Sequence, residues 1–357
     1  MQTKTPIKWE EKTIGDLITL EYGKGLSKED RQTDGKYPAY GANGIKDWTN
    51  KYLYDKKTVI IGRKGSAGEI KLTADKFWAL DVSYYAIFNE KELDLTFLYF
   101  LLQTLNLPSL AKGVKPGINR NDVYSIQVKI PQIKEQRRIV EILDKAFEEI
   151  DQMIENAKQN LQNAKDLFES YLEQVFSEDT NGYIQTTFGA EIKVRSGDFL
   201  PARSMIQDGI YPVYGGNGIN GNHDQYNYSN ENVIIGRVGE KCGNVHYTNE
   251  NVWVTDNAFV VIETKNQFDK KFLTFLLRRA NLRNYAKKST HPVVSGTSLS
   301  NVELRFPLDI SKQKKIVEKI ANMQEQTQQL EQIYQQKIKQ AEELKQSILQ
   351  KAFNGEL

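Results

Sequence analysis

The chain is written twice. Tyr37–Ile45 reads YPAYGANGI and Tyr211–Ile219 reads YPVYGGNGI, displaced by 174 residues. Val59–Gly65 (VIIGRKG) returns as Val233–Gly239 (VIIGRVG) at the same offset, and Phe97–Leu102 (FLYFLL) meets Phe272–Leu277 (FLTFLL) at 175. Lys129–Pro131 meets Arg305–Pro307 at 176, and Gln136–Glu141 (QRRIVE) meets Gln313–Glu318 (QKKIVE) at 177. A drift of three residues over half a protein is the mark of a duplicated domain with small loop insertions. The period is too long for a solenoid, whose units run to about 20–45 residues. At 357 residues the chain also exceeds the roughly 250–300 at which a single core stops growing.

Each copy has the same internal order. Tyr-Pro, then Asn-Gly (Asn43-Gly44, Asn217-Gly218), then β-branched runs bounded by glycine (Val59–Ile61, Val233–Ile235) predict short strands joined by tight turns. Apolar stretches with helical spacing follow near Phe97–Leu107 and Phe272–Leu282. Each copy therefore reads as an α+β domain of roughly 130 residues, near the common domain size.

The second element is a long helix. After Pro131 and after Pro307 no proline recurs within it, and apolar residues alternate at spacings of four and three. The first seam reads Ile139, Leu143, Ala146, Ile150, Met153, Ala157, Asn160, Ala164, Leu167, Tyr171; the second reads Ile316, Ile320, Met323, Thr327, Leu330, Tyr334, Lys337, Ala341, Leu344, Ile348. A rod of about forty residues is unstable alone unless its seam is covered. We expect the other rod to cover it, as an antiparallel two-helix coiled coil. The alternatives are packing of each rod on its own domain or on a symmetry mate. The expected layout is two similar globular domains, 1–134 and 179–311, with spacer helices 135–178 and 312–357, related by a pseudo-twofold.

Forty-eight Lys+Arg against forty-six Asp+Glu exclude a global polyelectrolyte, so any nucleic-acid surface must be local. Asp269–His291 carries seven basic residues and one acid, and Leu95–Arg120 three basic residues and none. These are electrostatic footprints for DNA or solvated helix faces. One cysteine and three histidines without paired ligand spacing argue against structural zinc. No apolar run approaches the roughly 18–20 residues of a membrane span, mean hydropathy is −0.57, and no secretory signal opens the chain, so a cytoplasmic location is expected.

A duplicated domain, each copy followed by proline and then Gln, two basic residues and Ile-Val-Glu, resembles the specificity subunit of type I restriction-modification enzymes. The residues that carry the resemblance are Pro131 with Glu135, Gln136, Ile139 and Val140, and Pro307 with Gln313, Ile316 and Val317. The two Tyr-Pro-x-Tyr-Gly-x-Asn-Gly-Ile stretches and the terminal AFNGEL (Ala352–Leu357) add to it. The second copy departs by having Lys312 where the first has Glu135, and one extra loop residue. The resemblance implies that the globular parts are target-recognition domains, each reading one half of a bipartite, asymmetric double-stranded DNA sequence. It implies also that the helices set the spacing and dock DNA methyltransferase (modification) subunits, two of them, with restriction/translocase subunits joining through these. S-adenosylmethionine, ATP and Mg²⁺ would then belong to the partner subunits, with no cofactor in this chain.

The duplication supplies its own control: shared features serve fold and backbone contact, and differences carry the reading. Asn43-Gly44 and Asn217-Gly218 read as turn chemistry. The shared Arg63 and Arg237 suit phosphate anchoring or an internal ion pair, and Lys112 and Lys287 also align. Candidate base readers are Lys24, Lys46, Lys64, Lys115 and Arg120 in the first domain, and His223, Gln225, Lys241, Lys288 and His291 in the second. The first rod carries a further stripe, Phe147, Ile154, Leu161, Phe168 and Val175, whose counterparts Gln324, Glu331, Ile338, Lys345 and Ala352 are mostly polar. The stripe is expected to dock a partner subunit or to pack on the chain's own domains.

Catalysis by this chain itself is not expected. No glycine-rich cofactor loop with a Pro-Pro-aromatic motif occurs, there is no Pro-Pro pair, and no P-loop. Glu-x-Lys tripeptides that could serve a metal-dependent nuclease (Glu69–Lys71, Glu191–Lys193, Glu263–Lys265) fall at places that do not correspond between the copies. A DNA endonuclease acting alone and a coiled-coil scaffold without DNA affinity are the competing functions.

Overall fold

The computed structural model describes residues 9–178, 180–287 and 292–357. It divides into two compact units, the first built from residues up to Lys158 together with Gln336–Leu357, the second from Gln159–Gln335.

In the first unit, Glu10–Thr13 pairs antiparallel with Gln127–Ile130, which ties the start of the domain to its end. Between them lies a four-stranded antiparallel sheet in the order Ile18–Tyr22, Ser83–Phe88, Val59–Gly62, Ile70–Leu72. A three-stranded sheet pairs Tyr37–Gly41 antiparallel with Gly44–Thr49 and parallel with Trp78–Ala79. The Asn-Gly pair closes that hairpin with Gly44 at φ 129°, a conformation only glycine adopts without strain. Helix Leu95–Thr104 starts where Asp94 accepts the amides of Thr96 and Phe97, and it buries Phe97, Leu98 and Leu102.

The second unit repeats this plan strand for strand. Tyr183–Thr187 pairs with Glu303–Pro307, and the four-stranded order is Ile192–Ser196, Ala258–Thr264, Asn232–Gly236, Val245–Thr248. The three-stranded sheet is Gly218–His223, Tyr211–Gly215, Trp253–Val254, with the same register shift inside the hairpin as in the first copy. Asp269 caps helix Lys270–Arg279 as Asp94 does its counterpart.

Each domain is joined to its long helix by a buried glutamine. Gln136 Oε1 accepts the Asp94 amide at 2.9 Å, and its Nε2 donates to Glu92 O and Pro131 O, both at 2.9 Å. Gln313 accepts the Asp269 amide at 2.9 Å and donates to Pro307 O at 2.9 Å. Both side chains are fully buried, so the glutamine of the repeated motif satisfies backbone groups that water cannot reach.

The long helices are Ile133–Ser177 and Ile310–Phe353. In the first unit they run antiparallel: Arg138 donates to Leu357 O at 3.1 Å, and further along Asp151 pairs with Lys345 at 2.8 Å. Ile139, Leu143 and Ile150 of one helix and Ala341, Leu349 and Ala352 of the other join the domain core, with Ile348 partly buried against it. In the second unit Leu172, Val175 and Phe176 share a core with Ile316 and Ile320, and Glu178 pairs with Lys319 at 2.9 Å.

The seam departs from the expected one at alternate positions beyond the first two turns of each helix. Met153, Leu167, Leu330 and Leu344 are 49%, 47%, 36% and 45% exposed. Their places are taken by the stripe expected to face a partner or the chain's own domains: Phe147 is buried, and Ile154, Leu161 and Phe168 are half-buried, as are Gln324, Glu331, Ile338 and Lys345 one repeat later. The reason lies in the first two turns. The first helix steps by four twice, from Ile139 to Leu143 to Phe147, with Phe147 packed edge-on against Phe100 of the domain at 5.4 Å, and the second does so from Ile316 to Ile320 to Gln324. That double step shifts the phase of the seven-residue repeat for the rest of the helix. Where the second helix offers Lys345 opposite this stripe, its ammonium lies 4.8 Å from the Phe147 ring centre, and the aliphatic stem covers apolar surface while the charge reaches Asp151.

Candidate nucleic-acid interface

Four segments of the first domain meet at one edge. Gly62 ends a core strand where a Cβ would lie 2.1 Å from Ser66 O and 2.6 Å from Ala42 O, so only glycine lets the loop after Ala42 touch the loop after Gly62. Lys64 and Lys112 both bridge to Gly117, which brings the Arg63–Gly68 loop beside the Lys112–Gly117 hairpin. The hairpin projects a fully exposed Val114 beside exposed Lys115. The fourth segment is the helical turn Arg120–Tyr124, capped by Asn119.

The structure thus gathers Arg63, Lys64, Lys112, Lys115 and Arg120, taken from distant points of the chain, at one edge. Among the described residues Arg63 has no ion-pair partner: its Nη1 donates to Asp81 O at 3.0 Å, and its guanidinium lies 4.9 Å from the Tyr22 ring centre. Arg120 lies 5.1 Å from the same ring and reaches Leu20 O at 3.5 Å. Lys112 pairs with Asp122 at 2.9 Å, while Lys64 and Lys115 are exposed. Lys46 is exposed on the strand that leaves the Asn43-Gly44 turn, its stem against Gly41. Lys24 is also exposed; its backbone carbonyl accepts the Trp78 indole N–H at 2.8 Å, which fixes the loop that carries it.

The second domain builds the same edge with other side chains. Gly216 and Gly236 allow the equivalent loop contact, and Val238 and Lys287 both bridge to Val293. Arg237 donates to Ser196 Oγ at 3.0 Å and Asp256 O at 3.3 Å and lies 5.2 Å from the Phe259 ring centre. Both shared arginines therefore brace the fold through a backbone carbonyl, and among the described residues neither forms the internal ion pair that was one of the two readings for them. Lys241 and Lys287 are exposed at this edge. Lys288 and His291 lie outside the described residues. His223 sits elsewhere, at the end of the outer hairpin and 5.2 Å edge-on to Trp253, and Gln225 follows it in the next turn. His246, on the strand at the opposite side of its sheet, has its pKa lowered by burial and then by the charges of Arg278 and Lys241, which keeps the ring neutral.

Sequence reasoning missed Tyr22, the ring shared by two guanidiniums, and Asp122, which takes up Lys112. Both contacts join residues far apart or on separate short elements, and no local pattern marks them.

The Glu-x-Lys tripeptides hold no metal geometry. Glu191 is buried and accepts the Asn266 amide at 2.6 Å and its Nδ2 at 3.0 Å, while Lys193 pairs with Glu263 at 2.8 Å and Lys71 with Glu69 at 3.8 Å. Among the described residues no group of three or more His, Cys, Asp or Glu could hold a metal ion, and no helix is long and apolar enough to cross a membrane.

The sequence model of the type I restriction modification DNA specificity domain matches residues 6–163 and again 190–340, once per copy. The chain belongs to this family of type I specificity subunits. The resemblance read from Pro131, Gln136 and their echoes therefore holds. The chain is 35% identical over 178 residues to the EcoprrI specificity subunit of Escherichia coli, covering 48% of this chain and 44% of that one. It is 24% identical over 344 residues to a putative type I specificity subunit of Mycoplasma pneumoniae, covering 88% and 89%. Among solved structures, a chain from work on complex assembly and conformational transition of the type I restriction-modification system has a TM-score of 0.78 at 17% identity, with 99% and 100% covered. The HsdS subunit of Thermoanaerobacter tengcongensis gives 0.55 at 16% identity, with 100% and 99% covered. These two share its fold.

Proposed function

We propose that this specificity subunit reads a bipartite, asymmetric DNA target, one domain per half-site, and performs no catalysis itself. One observation carries the reading: two copies of one frame present different charges at matching points of their exposed edges. Lys24 answers to Asp198, Lys46 to Asn220, Lys64 to Val238 and Arg120 to Gly296. A frame kept while its cationic face diverges is what two readers of unlike half-sites need, since phosphate contact positions a protein and base contact specifies.

The long helices dock methyltransferase subunits, two per chain, through which restriction/translocase subunits join. S-adenosylmethionine, ATP and Mg²⁺ act on those partners, in the cytoplasm where the DNA lies. With Phe147, Ile154, Leu161 and Phe168 turned inward, the docking surface passes to the exposed apolar side chains of the helices, among them Met153, Leu167, Ile333 and Leu344. Methylation mapping of a genome carrying this subunit and its methyltransferase tests the whole reading. A split, asymmetric motif that disappears with the gene is expected. A continuous motif, or Mg²⁺-dependent cleavage by the purified chain, overturns it.

A further inference from the structure

Tyr22 ends a core strand, is 43% exposed and has two guanidiniums against its ring, Arg63 at 4.9 Å and Arg120 at 5.1 Å from its centre. The ring is held edge-on by Tyr84 at 5.0 Å. Arg63 is further fixed by its bond to Asp81 O. Arg120 makes only the long contact to Leu20 O, and among the described residues it has no carboxylate partner. A guanidinium leaning on a fixed aromatic ring loses rotational freedom while keeping donors free, which is the state a bidentate contact requires.

The second domain lacks the whole device. Strand register places Ser196 opposite Phe259 where the first domain has Tyr22 opposite Tyr84. The N-caps Asn119 and Ser295 correspond, so Gly296 stands in the place of Arg120. There Arg237 folds inward onto Ser196 Oγ, the atom that replaces the tyrosine ring. A contact to phosphate, common to both half-sites, gives no reason for one copy to carry the pair and the other to lack it.

We propose that Arg120 is a specificity-determining residue of the first domain, presenting its guanidinium to the O6 and N7 of a guanine in that domain's half-site, and that Tyr22 is its positioning residue. The proposal rests on the DNA-reading function argued above. It is tested in the full chain assembled with its methyltransferase subunits, by selection from a library of randomised duplexes. Arg120→Ala and Arg120→Lys should each lose about 5- to 150-fold of discrimination at one G·C pair of one half-site, with the other half-site unchanged. Tyr22→Ala should relax the same pair, and Tyr22→Phe, which keeps the ring, should retain it. If Arg120→Ala weakens binding to all sequences alike and lowers the salt dependence, the residue contacts phosphate and the proposal fails. It fails too if Arg120→Lys discriminates as the wild type does, or if the wild type shows a split motif that Arg120→Ala leaves intact. A wild-type complex without any split motif overturns the DNA-reading function and this assignment with it.

Discussion

Arg63 and Arg237 stand at the same point of the repeated frame, one residue past the glycine that lets two loops touch, and each donates to a backbone carbonyl, Asp81 in one domain and Asp256 in the other. Around them the domains part. Arg63 leans on an exposed tyrosine shared with Arg120, whereas Arg237 is drawn into its own domain by Ser196, with its Nε buried and, among the described residues, without a hydrogen-bond partner. The long helices show the same division. Their starts are anchored by equivalent glutamines, yet the apolar stripe of the first corresponds to largely polar residues in the second. Duplication has preserved what closes each core and released what lies on the outside, so the shared arginine is a brace and the unshared neighbours are where the two halves can differ in what they bind.

The helix comparison can be broken most sharply at Phe147. Phe147→Ala should destabilise the first unit by about 3–5 kcal/mol, while Gln324→Ala at the matching point of the second helix should change stability by less than about 0.5 kcal/mol. Hydrogen exchange resolved by unit would show it; equal losses would mean that the stripe does not distinguish the helices. The anchoring glutamines should instead behave alike. Gln136→Leu and Gln313→Leu each strand a buried amide and carbonyls, and each should destabilise its own unit by on the order of 3 kcal/mol. A large difference between the two would show that the joints are not equivalent.

Lowering the pH should separate the units again. His246 is half-buried, with its Nε2 out of reach of solvent, and is held neutral in the second domain, where the first has the half-buried strand residue Lys71 at the same register, and no histidine occurs before residue 223. Its pKa is lower in the folded than in the unfolded chain, so the unfolded state binds more protons as the pH falls through about 6.5, and stability drops there. Exchange measured between pH 7.5 and 5.5 should show the second unit weakening, and His246→Gln should remove that component; a first unit that weakens equally would contradict it. The smallest effect on stability is expected at Met153. Met153→Gln should leave the isolated chain as stable as before and weaken assembly with the methyltransferase subunits, seen by size-exclusion chromatography; unchanged assembly would remove Met153 from the docking surface.

The duplicated order, the Asn-Gly hairpins and the Gln136 motif were legible because each is a local pattern with a local cause. Two long helices were legible from their apolar spacing and the absence of proline. The phase of their seam was not, because each helix opens with two steps of four where it lies on its domain, as Phe147 does against Phe100 some forty-seven residues earlier in the chain, and the heptad period alone does not mark that step. The candidate site shows the same limit. Charge counting found the basic segments around Lys112 and Arg120, but Tyr22 and Arg120 are brought together only by the fold, and nothing near Tyr22 in the sequence announces a ring shared by two arginines.

The first core is assembled from two stretches of chain separated by the entire second unit, since Ala341, Leu349 and Ala352 close it beside Ile139 and Leu143. During synthesis the second unit is continuous and can finish as soon as Gln335 clears the ribosome, whereas the first waits for residues 336–357. A nonsense mutation anywhere in the second unit therefore removes the residues that close the first core, and leaves Ile139 and Leu143 without that cover.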